Sequence, residues 1–161
     1  MSDSVGGFTI YKAGRADISD ITEKAVQFFS ESDFNGNLTA NPDRYRDMLY
    51  DFIDNPHVAS FVARSGEDVV GYIHIYCQSD YTNELVGEMY QFYVDPNFRG
   101  KGVARALVSR AVEQYREWGC KRAYSEAAAG FDDGGKNLRL FINLWKKAGY
   151  TEKGIVMVKD F

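Results

Sequence analysis

The chain has 161 residues, a length that fits one ordinary domain spanning 1–161, and its 45% hydrophobic and 15% aromatic content suffices for a core and excludes wholesale disorder. Against 23 Asp and Glu it carries 19 Lys and Arg, a net charge of −4, which is the wrong sign for broad binding to a phosphate backbone and sets nucleic acid aside as a main ligand.

Phe8–Ala13 alternates apolar and polar residues and predicts a first strand. Asp17 is placed to cap a helix whose stripe, Ile18, Ile21, Ala25 and Phe28, recurs every three or four residues up to Ser30. Ser32–Ala40, with Asn35-Gly36 and no periodicity, reads as a loop. Asn41-Pro42 then opens a second helix, asparagine as cap and proline in the first turn, with Tyr45, Met48, Leu49 and Phe52 on its buried face. Val58–Arg64 and Val69–Cys77, joined by Ser65-Gly66-Glu67-Asp68, predict an antiparallel hairpin. A further strand, Leu85–Val94, stops at Asp95-Pro96; strict alternation puts Glu88, Tyr90, Phe92 and Val94 on one face and Met89, Gln91 and Tyr93 on the other. A helix from about Gly100 to Trp118 follows, then a strand over Lys121–Ala127, a glycine- and aspartate-rich loop over Ala128–Lys136, a helix marked by Leu138, Phe141, Trp145 and Ala148, and a last strand over Ile155–Lys159. That order implies a mixed sheet with helices on its faces, in which only the late strand–helix–strand unit need be parallel.

Cys77 and Cys120 form no CxxC pair and have no histidine cluster near them in sequence, so neither zinc nor a disulfide framework is suggested, and a reducing compartment is expected. Met1–Gly7 lacks a basic segment followed by an apolar run, and no stretch approaches the roughly 18 apolar residues of a membrane span. The expected location is therefore cytoplasmic, with no membrane partner and no metal. His57 and His74 both fall in strands and read as structural residues.

Phe98-Arg99-Gly100-Lys101-Gly102-Val103-Ala104 joins a strand end to a helix start. Two glycines let the backbone turn tightly and leave amides uncovered, and a helix N-terminus flanked by Arg99, Lys101 and Arg105 suits an anion. The same glycines also serve a turn that needs them for geometry alone. A Walker-type loop would need GxxxxGK followed by Ser or Thr, whereas Lys101 lies between the glycines and Val103-Ala104 follows; the third glycine of a dinucleotide fingerprint is replaced by Arg105.

This segment resembles the acetyl-CoA signature of the GNAT superfamily of N-acetyltransferases, with Arg99, Gly102 and Ala104 filling its pattern. Phe92-Tyr93-Val94-Asp95-Pro96 upstream, the Glu67–Ile75 hairpin and Leu144–Tyr150 extend the resemblance over most of the chain. It implies an α/β (α+β) fold: a mixed, mostly antiparallel central sheet with helices on both faces, splayed at the fourth strand. It further implies that the backbone of Phe92, Tyr93 and Val94 pairs with the pantetheine arm of acetyl-CoA, the cosubstrate. The amides of Arg99, Gly100, Lys101, Gly102, Val103, Ala104 and Arg105 would hold its pyrophosphate.

Acetyl transfer needs a neutral amine and hence a proton acceptor. Glu88, six residues before Val94, matches the family's catalytic glutamate, with Glu126 and Glu84 in reserve. The tyrosine that the family often uses as acid is replaced by Trp145, so that either Tyr93, Tyr124, Ser125 or solvent takes that role or thiolate release needs no protein acid. Asn137 and Asn143 are polar candidates on the late helix without an assigned role. Acidic pairs, Glu31 with Asp33, Asp80 with Glu84 and Asp132 with Asp133, would attract a cationic acceptor, a small amine or a protein amine. The competing readings are a non-catalytic acyl-CoA-binding regulatory module on the same fold and an acidic protein-binding domain without coenzyme. Phe8–Tyr11 and the last strand are candidates for the edge of a homodimer.

Overall fold

The computed structural model describes residues 3–5, 7–31, 38–79, 82–126, 136–154 and 159. The sheet comprises β1 (Asp3–Val5), β2 (Phe8–Lys12), β3 (Val58–Ser65), β4 (Asp68–Gln78), β5 (Val86–Val94) and β6 (Arg122–Tyr124), adjacent in that order. Every neighbouring pair is antiparallel except β5 and β6, which are parallel. Helices α1 (Ile18–Glu31) and α2 (Pro42–Asp54) precede β3, α3 (Val103–Glu117) makes the crossover between the parallel strands, and α4 (Lys136–Lys147) follows β6.

Two apolar layers bury the two faces of the sheet. Ile18, Ile21 and Ala25 of α1 and Leu49 of α2 pack on Val62, Tyr72 and Tyr93. On the opposite face, Val103, Leu107, Val108, Ala111 and Tyr115 of α3 and Trp145 of α4 pack on Phe61, Ala63, Ile73 and Ile75. The alternation of β3 and β4 thus feeds both cores, as period-2 side chains must when helices cover both faces. Gly71 lets α3 come close: a Cβ there would stand 3.1 Å from Val103 Cγ1 and 3.2 Å from Leu107 Cδ1. The first turns of α3 are thereby seated against the middle of the sheet.

Several expectations are corrected. The short strand β1 pairs with Phe8–Ile10, so most of the Phe8–Tyr11 segment is interior to the sheet and the outer strand is β1. Asp17 lies in a 3₁₀ turn, Arg15–Asp17, and its carboxylate accepts from the Gly14 amide at 2.9 Å and the Tyr11 hydroxyl at 2.7 Å, so it closes the preceding turn and does not cap α1. Asn41 does cap α2, its Oδ1 accepting from the Arg44 amide at 3.1 Å. The third helix begins at Val103 and not near Gly100, because both glycines of the turn take positive φ, +76° and +91°. β6 extends over Arg122–Tyr124 alone. The final strand and the Asp33, Asp80, Asp132 and Asp133 positions lie largely or wholly outside the described residues.

Gln91 faces His74 in the ladder and Met89 faces Ile75, so Tyr90 is an extra residue, a β-bulge. A one-residue insertion reverses the face of everything before it. Glu88 therefore lies opposite Tyr76 and shares a face with Gln91 and Tyr93, while Met89 and Phe92 pack on the α3 side. The expected grouping of Glu88 with Phe92 and Val94 does not occur.

The two cysteines, distant in sequence, are neighbours. Cys77 pairs with Gly87 in the ladder, and Cys120, where the chain turns from α3 into β6, has its thiol against that of Cys77. Burial pushes both thiols up, Cys120 to about 11.

Candidate active site at the open end of the parallel strands

Pairing between β5 and β6 covers Val86 with Arg122, Gly87 with Ala123 and Glu88 with Tyr124. Beyond Glu88 none of the described residues pairs with this edge of Met89–Val94, and β6 ends at Tyr124, so the two described strands part at the fourth predicted strand, where the splay is expected. Such an edge offers alternate N–H and C=O groups to an extended ligand.

At its far end the chain is anchored by several polar contacts. Asp95 Oδ1 accepts from the Asn97 amide at 3.0 Å, and Lys24 Nζ donates to Asp95 Oδ2 at 2.8 Å. Burial works against the Asp95 charge, but the Lys24 ammonium and the Asn97 amide outweigh it and hold the carboxyl below its ordinary range. Arg99 Nε donates to the Val94 carbonyl at 2.9 Å and Nη2 to Glu31 at 3.0 Å, so its side chain reaches toward α1 while its backbone stays in the turn. Its guanidinium thus leaves the cationic flank of the anion site, where the sequence pattern groups it with Lys101 and Arg105.

Beyond it, Gly100 and Gly102 face open space where side chains would be: a Cβ added at either would meet nothing within 4 Å beyond its own chain neighbours. Gly102 supplies no side-chain cap, and Ala106 is the first helical amide to bond backward, to the Gly102 carbonyl at 3.0 Å. The amides of Val103, Ala104 and Arg105 accordingly project from the positive end of α3. Arg105 is exposed nearby, and Lys101 Nζ lies 5.1 Å from the Phe98 ring centroid. This cradle fits a phosphate-bearing group.

The structure brings Glu88 and Tyr124 together as ladder partners at the point where the strands part. Tyr76 OH donates to Glu88 Oε2 at 2.5 Å and Gln78 Nε2 donates to Oε1, so both carboxylate oxygens are oriented from β4. Burial, then Glu88 itself, pushes the Tyr76 phenol up to about 12. Tyr124 is 47% exposed, and Ser125 Oγ lies 3.7 Å from Met89 Sδ. Tyr93 is elsewhere: buried against Phe28 and Tyr72, it donates to Glu31 at 3.1 Å, and burial followed by that carboxylate raises it. Phe92 turns the other way, onto Phe141 and Trp145 at 5.2 and 6.4 Å between ring centroids. Trp145 is buried and its Nε1 has no hydrogen-bond partner among the described residues. Glu84, Glu126 and Asn143 are exposed, and nothing is described of the Asn137 side chain.

Sequence reasoning misses Tyr76 and Gln78, the partners of Glu88. Their spacing of two on one strand is visible in the chain, but their opposition to Glu88 depends on the bulge. Among the described residues no group of three or more His, Cys, Asp and Glu is placed to hold a metal ion, and no described helix is long and apolar enough to cross a membrane.

Similarity to known proteins agrees with this geometry. An uncharacterized N-acetyltransferase of Methanocaldococcus jannaschii, MJ1207, is 31% identical over 98 residues, 60% of this chain and 40% of that protein. The uncharacterized N-acetyltransferase YjgM of Escherichia coli is 36% identical over 83 residues, 52% of this chain and 49% of its own length. The chain thus spans less than half the length of either curated relative. The aminoglycoside N-acetyltransferase AAC(6')-Iy, solved in complex with CoA, shares the fold with a TM-score of 0.74 at 17% identity, over 100% of this chain and 96% of that one. Residues 22–150 match the family model described as the acetyltransferase (GNAT) family, and the chain belongs to that family.

Proposed function

We propose that this chain is a single-domain N-acetyltransferase that transfers the acetyl group of acetyl-CoA to a primary amine by direct attack in a ternary complex. The observation that carries the reading is the run of Gly100–Arg105 amides at the end of a strand edge that none of the described residues pairs, with Glu88 and Tyr124 where the strands part. The amides of Val103, Ala104 and Arg105 would hold the pyrophosphate, with Lys101 and Arg105 adding charge. Phe92, Tyr93 and Val94 would pair through their backbone with the pantetheine arm. When bound, acetyl-CoA supplies the activated thioester.

Glu88 is the base of this reading: its carboxylate, oriented by Tyr76 and Gln78, takes a proton from the acceptor ammonium. Tyr124, exposed beside it, is the candidate to return a proton to the departing thiolate, since the Tyr93 hydroxyl is committed to Glu31. The acceptor is a cationic amine; the structurally similar AAC(6')-Iy is named for aminoglycosides, and the carboxylates of Glu88 and Glu126 favour a positively charged acceptor here. A second reading, coenzyme binding without turnover, is favoured by Trp145, whose indole stands where the family often has a tyrosine.

Calorimetric titration with acetyl-CoA, coenzyme A and a longer acyl-CoA, followed by thiol release with pooled amines, tests both. Binding with turnover that Glu88→Gln lowers by about 10²-fold or more supports the enzyme. Binding without turnover, indifferent to Glu88→Gln, supports the regulatory module, and absence of binding overturns both.

A further inference from the structure

Gln91 sits at the first position of β5 after the bulge, opposite His74, and its side chain is held in one orientation. Its Oε1 accepts from the hydroxyl of Tyr72 at 3.1 Å and from that of Tyr45 on α2. Because Tyr45 donates to Gln91, its oxygen is left to accept from His74 Nε2, 3.0 Å away. The other ring nitrogen of His74, Nδ1, then accepts from Ser60 Oγ at 2.8 Å. Four side chains from two strands and a helix thus fix one carbonyl oxygen. His74 and Ser60 are buried, and burial lowers His74 to about 3, so the imidazole stays neutral and the direction of each bond is preserved at neutral pH.

An amide whose oxygen is pinned has no choice about its nitrogen. Gln91 Nε2 has no hydrogen-bond partner among the described residues, and Gln91 is only half-buried, so the two N–H donors reach solvent. They do so on the face that carries Glu88, since Gln91 and Glu88 oppose His74 and Tyr76, two residues apart on β4. That spacing is about 7 Å along the strand. A pre-oriented donor with nothing to bind, next to a carboxylate on the same surface, suits a ligand bearing an oxygen acceptor close to an ammonium group.

We propose that Gln91 is a specificity-determining residue that donates from Nε2 to an oxygen of the acceptor, a hydroxyl or carbonyl within about four bonds of the amine that Glu88 receives. The inference rests on the N-acetyltransferase reading and narrows its substrate class to oxygen-bearing primary amines. Tyr45, Tyr72 and His74 act through Gln91 as positioning residues.

The test compares kcat/KM, by thiol release, for matched amines in which carbon replaces the oxygen: ethanolamine against propylamine, and, for ethers, 2-methoxyethylamine against butylamine and tetrahydrofurfurylamine against cyclopentylmethylamine. The wild-type protein is expected to favour the oxygen-bearing member by about tenfold. Gln91→Glu keeps an oxygen for both phenols but replaces the donors by an acceptor, and the preference for the two ethers, whose oxygen can only accept, should fall to near unity or reverse while the affinity for acetyl-CoA stays within twofold. Gln91→Met, of similar volume and without donors, should give the same loss of preference if Gln91→Glu fails to fold. A merely structural glutamine would lower both members of each pair equally and leave their ratio unmoved. An unchanged ratio for the ethers in the variants, or turnover by the wild-type protein of the carbon-bearing amines alone, overturns the assignment of Gln91. Failure of the wild-type protein to bind acetyl-CoA, or binding with no turnover of any amine, overturns instead the reading beneath it.

Discussion

Tyr76 and Glu88 stand opposite one another across the β4–β5 ladder, the phenol donating to the carboxylate at 2.5 Å. With the Tyr76 phenol pushed up to about 12, it stays protonated and keeps donating at any physiological pH. Tyr76→Phe removes this orienting bond and leaves Gln78 alone on the carboxylate. The expected outcome is a several-fold loss in kcat with acetyl-CoA affinity unchanged, read from steady-state kinetics and calorimetry on the same preparation; an equal loss in coenzyme affinity would place the effect in the fold and not in Glu88.

Gly102 occupies the left-handed region at φ +91°, with open space around it. Gly102→Ala costs about 1–2 kcal/mol in backbone strain, whereas Gly102→Glu adds a negative charge beside the amides that would hold pyrophosphate. Calorimetry should show modest weakening for alanine and no measurable coenzyme binding for glutamate, with circular dichroism confirming that both variants fold. Undiminished affinity in Gly102→Glu would remove the cradle from consideration.

Gly87 is required by space. A Cβ there would stand 2.3 Å from Cδ1 of the Tyr115 ring, far inside van der Waals contact, where α3 presses onto β5. Gly87→Ala should cost about 1–3 kcal/mol by overpacking, seen as a melting temperature lower by several degrees. A companion change, Tyr115→Leu, should recover part of the loss if the clash is its cause.

His74 links stability to pH. Its folded value, lowered by burial to about 3, lies below the ordinary 6.5, so between these values the unfolded chain binds more protons than the folded one. Its contribution is complete above pH 6.5 and declines as pH falls toward 3, at up to about 1.4 kcal/mol per pH unit. Urea midpoints measured from pH 7 to pH 4 should fall steeply in the wild type and less so in His74→Gln. Parallel slopes would show that carboxylates alone govern the acid limb.

Local patterns are legible where the physics is local. The Ile18, Ile21, Ala25 stripe, the Asn41-Pro42 start, the hairpin across Gly66-Glu67 and the glycine turn before α3 depend on neighbours a few residues away, and all are present in the fold. β1 escapes notice because three residues carry too little alternation to register. Asp17 looks like a cap because its position suits one, yet Arg64 of β3, at 3.1 Å, and Tyr11 draw its carboxylate backward.

The site divides along the same line. That a glycine turn and a helix start follow a strand end, and that Glu88 precedes them on that strand, is written in the order of residues, because a turn and a helix start are decided by adjacent φ and ψ values. The face on which Glu88 points is decided by one unpaired residue, Tyr90, and the partners of Glu88, Gln91 and Arg99 come from β4, α2 and α1, up to 68 residues away. Strand register is a collective property: it minimises the cost of unburied apolar side chains and unpaired polar groups over both cores at once. The sequence by itself therefore determined which chemical groups the protein carries and near which turn, while the packing of α1, α2 and α3 against the sheet decided which of them face one another.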